Sequence, residues 1–298
     1  MQDISAIDKA SILVEALPYI KRFHGKTVVI KYGGNAMLSE ELKEGVLKDI
    51  VLMQLVGMRP VLVHGGGPDI NSVMEQMRMK VEFVNGQRVT DENVMEVVEM
   101  VLTGKVNSSI VKYINQNGGS AVGLSGADAN LLLAHKQRAR ISTPDGGQQM
   151  MDLGLVGEVE SVNVDLLNSL LDQGYIPVIS PVAVDRYGES LNVNADLVAG
   201  RVAAALQAEK LVLLTDVEGL YRNYNDKTSL ISVLPARMVE GLKNQGVITG
   251  GMLPKVDCCV QAVKQGVGSV HILDGRVLHC ILLEIFTKEG VGTMVINK

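Results

Sequence analysis

A chain of 298 residues that is 47% hydrophobic can bury a sizeable core, as one large α/β domain or as two lobes, and with no Trp and three Phe that core must be aliphatic. A formal net charge of −5, with no Lys/Arg run and no interleaved aromatics, excludes a nucleic-acid binder, and no apolar run has the length of a membrane span. Three cysteines cannot all pair, Cys258 and Cys259 are adjacent, and neither they nor the five histidines show metal-ligand spacing, so small core thiols and no protein-held metal are expected.

Ahead of the first strand, Ile7, Ala10, Val14, Leu17 and Ile20 recur at helical spacing, predicting an amphipathic helix within residues 1–24 that Pro18 would kink. From there strand-like and helix-like stretches alternate. The strand candidates are Thr27–Tyr32, Pro60–His64, Ala121–Leu124, Leu131–Ala134, Tyr175–Pro181, Lys210–Thr215, Ser269–Leu273 and Thr293–Ile296. Helical patterns fall at Ser39–Val56 with Ser39 as N-cap, Asp91–Thr103, Val164–Leu171, Ala195–Leu206, Pro235–Asn244 and Pro254–Lys264. This rhythm predicts an α/β fold, a mostly parallel open sheet sandwiched between helices. His135–Gly157, rich in turn formers, breaks the rhythm and reads as a hairpin or excursion. Pro181 and the Asp185–Gly188 turn suggest a lobe boundary, dividing 25–185 from 186–298. The N-terminus lacks the basic-then-apolar order of a secretion signal, so the expected location is the cytoplasm.

The chemistry gathers at strand ends. Lys31 closes an apolar run and Gly33-Gly34 follow it, offering a point charge and close backbone approach to an anion. The arrangement recurs where Val61-Leu-Val-His64 runs into Gly65-Gly66-Gly67-Pro68. Two familiar phosphate loops are excluded. Gly25-Lys26-Thr27 lacks the upstream glycine of a Walker loop, with Ile20 in its place, and it precedes its strand. The Gly65–Ile70 stretch has Ile70 where the dinucleotide fingerprint needs its third glycine. Further anchors are Arg88 in Asn85-Gly-Gln-Arg-Val-Thr90, whose fork can grip a carboxylate, and Asn192-Val-Asn-Ala-Asp196, which opens a helix. Thr215-Asp216-Val-Glu-Gly219 and Gly250-Gly-Met252-Leu-Pro-Lys255 complete the set, the latter with a second lysine near a helix start. Buried His64 is expected to be structural. Together these features fit an enzyme handling a phosphoanhydride and a small acidic substrate.

In order and spacing, Lys31-Tyr-Gly-Gly-Asn, His64-Gly-Gly-Gly-Pro, Asn85–Thr90, Asn192–Asp196, Gly250–Lys255 and Gly292-Thr-Met resemble the amino-acid kinase family, in its branch that phosphorylates N-acetyl-L-glutamate. The resemblance covers essentially the whole chain. It implies ATP-dependent transfer to the side-chain carboxylate, giving N-acetyl-L-glutamyl 5-phosphate and ADP early in arginine biosynthesis, with Mg2+ carried by the nucleotide. It implies that Lys31 and Lys255 flank the transferred phosphoryl group and that Asp196 orients both. Gly66, Gly67, Arg88 and Asn192 would hold the acetylated amino acid. Gly33, Gly34, Thr215, Asp216, Gly219, Gly250 and Met252 would contact the nucleotide. The N-terminal lobe would carry the acetylglutamate site and a dimer surface, the C-terminal lobe the ATP site.

Glu15-Ala-Leu-Pro-Tyr-Ile-Lys-Arg-Phe23 resembles the extra helix of the arginine-inhibited branch, in which it interlaces dimers into a hexamer. That branch's inhibitor, L-arginine, would meet Tyr19, Lys210, His271, Glu284 and Gly290, and the resemblance admits a PII signalling protein as a partner. Kinases of the glutamate 5-kinase, aspartokinase, carbamate and uridylate types share parts of the scaffold. The alternative from another class is a non-catalytic sensor with the same fold, against which Lys31, Asp196 and Lys255 all speak.

Overall fold

A computed structural model describes residues 5–37, 39–142, 148–288 and 290–298. Helix α1 (Ala6–Phe23) begins where the Ser5 hydroxyl accepts from the Asp8 amide, and it continues past Pro18 to a last turn holding Lys21 and Arg22. Then come β1 (Thr27–Tyr32), α2 (Glu40–Leu55), β2 (Arg59–His64), α3 (Gly67–Gln76), and a hairpin of β3 (Phe83–Val84) and β4 (Gln87–Arg88). Helix α4 (Glu92–Glu99) runs through a π-helical stretch, Met100–Val106, into α5 (Asn107–Gln116). The middle of the chain forms β5 (Ala121–Leu124), β6 (Leu132–Ser142), β7 (Gln148–Val162), α6 (Val164–Asp172), β8 (Ile176–Ile179), β9 (Val182–Val184) and β10 (Ser190–Val193). The remainder is α7 (Ala195–Ala205), β11 (Lys210–Thr215), β12 (Val233–Pro235), α8 (Val239–Asn244), α9 (Met252–Lys264), β13 (Ser269–Asp274), α10 (Cys280–Phe286) and β14 (Thr293–Ile296).

Eight strands form one sheet in the order β12-β14-β13-β11-β1-β2-β8-β5, parallel except where β14 runs against β13. Its central strands are unbroken aliphatic runs because helices cover both faces; Val28, Val29 and Ile30 of β1 are fully buried, as are Leu211 to Leu214 of β11. The chain leaves β1 toward β2 on one side and later returns to lay β11 on the other. The carboxyl end of β1 is therefore a switch point, where open α/β sheets bind their ligands.

A second, four-stranded sheet closes on itself in the order β10-β7-β6-β9. The hairpin expected over His135–Gly157 is present but longer, as β6 and β7, with residues 143–147 outside the described set. The turn chosen as a lobe boundary lies between β9 and β10, and these strands pair antiparallel, so β10 is built into the same sheet as β6 and β7. The helix expected to stop at Thr103 instead absorbs Gly104 in the π-helical turn and runs on to Gln116. Helix α3 was concealed by its own start: Gly-Gly-Gly-Pro reads as loop, yet Pro68 fits the first turn, where its missing N–H costs nothing. Among the described residues no helix is long and apolar enough to cross a membrane.

Candidate active site

The two glycine turns touch. A Cβ on Gly33 would lie 3.2 Å from Lys31 Nζ and 3.4 Å from the Gly65 backbone, so the carboxyl ends of β1 and β2 share one floor. Gly34 needs its glycine for a different reason, a φ of +66°. Across this floor stands the start of α7. Asn194 is its N-cap, accepting at Oδ1 from the amides of Asp196 (2.8 Å) and Leu197 (3.3 Å). Capping therefore falls to Asn194, and Asp196 is left to face the lysines.

Asp196 lies between two cations, with Lys31 Nζ 3.0 Å from Oδ1 and Lys255 Nζ 2.8 Å from Oδ2. Both contacts are ion pairs, and the Lys255 ammonium also donates a hydrogen bond to Oδ2. Burial pushes the Asp196 carboxyl up, but the two ammonium charges outweigh it and hold its pKa at about 2. The three side chains are 11%, 14% and 24% exposed in the order Lys31, Asp196, Lys255, so the cluster is screened from bulk water but open to a ligand. It carries one net positive charge. Helix α9 is docked against α7 by Cys258, whose thiol donates to the Asp196 carbonyl at 3.2 Å and whose sulfur would lie 2.9 Å from a Cβ on Gly200.

Next to this cluster a cavity of about 190 Å³ is lined by Gly65 to Gly67, Arg88 and Asn192, and by Ala195, the residue before Asp196. Arg88 is buried, donating from Nη2 to Asn71 Oδ1 at 2.5 Å, with its guanidinium 4.7 Å over the Phe83 ring. Asn192 donates to Thr90 Oγ1 at 3.2 Å, and Thr90 is locked to β7 by backbone bonds with Leu153 and Leu155. Asn71 and Phe83 were not singled out from sequence, and Thr90 entered only as the last residue of the Asn85–Thr90 motif. Of the first two, only Phe83, an aromatic two residues before the Asn85-Gly86 turn, offered a signal.

The residues expected around the nucleotide fall into two groups. Thr215 ends β11 beside β1 and Asp216 follows it, and the Thr215 hydroxyl donates to Asp216 Oδ1 at 3.1 Å. Gly250, with φ +55°, precedes α9, whose first residue is Met252, three before Lys255. Gly219 has a packing reason to be glycine, since a Cβ there would meet Thr293 Oγ1 at 2.7 Å. His64 is fully buried, and burial lowers its pKa to about 4, in keeping with a structural imidazole.

At the opposite end of the sheet, under α1, lies a second ionic cluster. Lys210 Nζ is 2.8 Å from His271 Nε2, and His271 Nδ1 is 2.6 Å from Glu284 Oε1. The Val291 amide donates to Glu284 Oε2 at 2.7 Å, and a Cβ on Gly290 would come within 2.8 Å of that oxygen. Burial lowers the Lys210 pKa to about 8 and pushes His271 down, so the imidazole is neutral. Burial raises Glu284, but hydrogen bonds from His271 and Val291 bring it below the usual carboxylate range. Phe23 closes the cluster from α1, its ring 5.2 Å from Lys210 Nζ, with Tyr19 one turn earlier packed against the core.

Residues 26–274 match the amino acid kinase family. The acetylglutamate kinase of Pelotomaculum thermopropionicum is 58% identical over 97% of this chain and 98% of its own, and that of Moorella thermoacetica is 56% identical over 98% and 99%. Among solved structures, the N-acetylglutamate synthase of Neisseria gonorrhoeae, complexed with coenzyme A and N-acetyl-glutamate, superposes with a TM-score of 0.82 at 27% identity. It covers 99% of this chain, which spans 64% of the synthase. A complex of N-acetylglutamate synthase from that organism with coenzyme A and L-arginine gives 0.78 at 25% identity. A carbamate kinase of Giardia, 17% identical with a TM-score of 0.67, shares the fold. The chain belongs to the amino acid kinase family, among its acetylglutamate kinases.

Proposed function

We propose that this enzyme transfers the γ-phosphoryl group of ATP to the side-chain carboxylate of N-acetyl-L-glutamate, forming N-acetyl-L-glutamyl 5-phosphate and ADP on the way to arginine. The observation that carries the reading is the Lys31–Asp196–Lys255 cluster beside a cavity lined by Arg88, Asn192 and the Gly65–Gly67 turn. A carboxylate acceptor titrates near roughly 4.3, so it is ionised at neutral pH and needs no general base. One of its oxygens attacks the γ-phosphorus as the bond to ADP breaks, and no proton moves. What the transfer requires is alignment and neutralisation of negative charge on the phosphoryl oxygens. Lys31 and Lys255 supply that charge, and Asp196 holds them on either side of its carboxylate.

Arg88 grips a substrate carboxylate from a position fixed by Asn71 and Phe83, and Asn192 and the Gly66–Gly67 backbone also hold the acetylated amino acid. Gly33, Gly34, Thr215, Asp216, Gly219, Gly250 and Met252 surround the nucleotide. Both oxygens of Asp196 face lysines, so its charge is already committed and Mg2+ rides on the nucleotide phosphates. Residues 25–185, joined by Asn192 of β10, carry the acceptor and the dimer surface, and 186–298 carry ATP together with Gly33 and Gly34. The proposal extends to cytoplasmic location and to inhibition by L-arginine at the Lys210–His271–Glu284 cluster. Exposed Ile7, Leu13, Val14 and Leu17 on α1 suit contact with another subunit in a hexamer. Hydroxylamine trapping tests the central claim: with ATP and N-acetyl-L-glutamate the hydroxamate should accumulate in step with ADP. ADP release without hydroxamate, or hydroxamate from free glutamate or aspartate in preference, would overturn it.

A further inference from the structure

Behind the glycine turn that floors the cavity, a buried polar chain runs from Asn107 through His64 to the Gly65 carbonyl. Asn107 opens α5 immediately after the π-helical turn and is 4% exposed. Its Nδ2 lies 2.8 Å from the Val178 carbonyl and 3.2 Å from His64 Nε2. A carbonyl only accepts, so the atom facing Val178 must be the amide nitrogen, and that nitrogen only donates. One hydrogen goes to Val178 and the other to Nε2, which is therefore the acceptor. The imidazole proton then sits on Nδ1, 2.8 Å from the Gly65 carbonyl, to which it donates. Room for the Asn107 amide comes from Gly123 on β5, where a Cβ would lie 2.0 Å from Oδ1. The π-helical turn closes against the loop, since a Cβ on Gly66 would meet Leu102 Cδ2 at 2.6 Å.

The Gly65–Gly66 peptide is trans, so its carbonyl and its N–H point in opposite directions. A carbonyl pinned inward to His64 turns the Gly66 N–H outward, to the cavity side. Helix α3 begins one residue later, so the N–H groups of its first turn have no partner within the helix.

We propose that Asn107 and His64 are positioning residues for the acceptor: Asn107 fixes the imidazole tautomer, His64 pins the Gly65 carbonyl, and the Gly66 N–H is thereby presented to the bound substrate. The identity of that substrate rests on the function proposed above; the tautomer does not. Nitrogen-15 NMR of the intact protein should show His64 neutral with its proton on Nδ1, and a proton on Nε2 would overturn the proposal. In His64→Leu the KM for N-acetyl-L-glutamate should rise about 10-fold or more, the loss expected when an N–H no longer meets an ionised acceptor, while the KM for ATP and kcat change far less. His64→Asn places an amide nitrogen where Nδ1 stood and should recover most of that loss. Asn107→Leu should raise the same KM and shift the proton toward Nε2. A loss of kcat and of melting temperature with no selective change in the acceptor KM would mean that the chain serves only the core. Failure of the wild type to phosphorylate N-acetyl-L-glutamate would overturn the substrate, leaving the tautomer to be decided by the spectrum.

Discussion

Two lysine-carboxylate clusters stand at opposite ends of the parallel sheet. In the β1–β11 register Lys31 pairs with Leu213, near the carboxyl ends, whereas Lys210 pairs with Val28, at the amino ends. At the first, one carboxylate is shared by two ammonium groups, leaving a surplus positive charge that is partly open to ligand. At the second, one ammonium and one carboxylate are joined through a neutral imidazole, so the charges balance, and both His271 and Glu284 are buried. The same residue types thus make different devices. A surplus beside a cavity attracts and stabilises an added anion, while a balanced buried chain holds elements together until something outbids one of its contacts.

The largest expected effect breaks the surplus. Replacing Lys31 or Lys255 with alanine should lower kcat by on the order of 100-fold or more, because the lost charge acts on the phosphoryl oxygens as they separate from ADP. Steady-state kinetics should show both Michaelis constants moving much less. A near-normal kcat for both variants would remove the lysines from the chemistry.

Only part of that contrast was readable from the chain. Strands β1, β5, β11 and β14 lie at the bounds expected for them, because each is a short, largely apolar run set off by glycines or polar residues. The short strands β9 and β10 were concealed: they pair with each other across the Asp185–Gly188 turn, which read as a boundary, and a stretch such as Ser190-Leu-Asn-Val has no run to detect. At the site, Lys31 and Lys255 stood out by their position next to glycine pairs. The bridge that Asp196 makes, across 165 positions to Lys31 and 59 to Lys255, was implied by family resemblance and by no local pattern. No local signal marked Asn71, and Thr90 stood only as the last residue of a motif, since support for a buried Arg or Asn comes from whichever strand or helix the fold lays beside it.

A smaller effect is expected where the cavity meets the surplus charge. Arg88→Lys keeps one positive charge but loses the planar fork that reaches Asn71 while facing the cavity. The KM for N-acetyl-L-glutamate should rise roughly 10-fold, with that for ATP nearly unchanged. Equal changes in both would place Arg88 among the structural residues or toward the nucleotide.

The balanced cluster should respond in the opposite sense, with catalysis spared. Glu284→Gln removes the charge that faces His271 and the Val291 amide, so kcat should hold while the arginine concentration for half-inhibition rises about 10-fold. Deleting residues 1–24 removes α1 and the Phe23 ring over Lys210, but leaves β1 intact, since that strand begins at Thr27. Light scattering should then report a smaller, active assembly that arginine inhibits weakly or not at all. A truncated protein that stays hexameric, or a Glu284 variant inhibited like the wild type, would separate the cluster from regulation.

The smallest effect on turnover is expected from Lys210→Met, which keeps the length of the side chain and removes its charge. Burial holds the folded pKa of Lys210 at about 8, below the usual lysine value of 10.5. Between those values the unfolded chain binds more protons than the folded one, so stability attributable to this group rises with pH across the window. The cost of burying the ammonium is fully present below pH 8 and is relieved as pH approaches 10.5, amounting to at most ~3 kcal/mol for a shift of this size. The variant has no such cost to relieve. Its stability relative to the wild type should therefore be highest at neutral pH and should fall steadily from pH 8 to 10.5, as read by urea denaturation at fixed ionic strength. A difference that stays constant across that range, or grows, would mean that Lys210 keeps its proton in the folded state. The cluster would then hold its charge through Glu284 more tightly than its burial implies, and the contrast with the open cluster would rest on exposure alone.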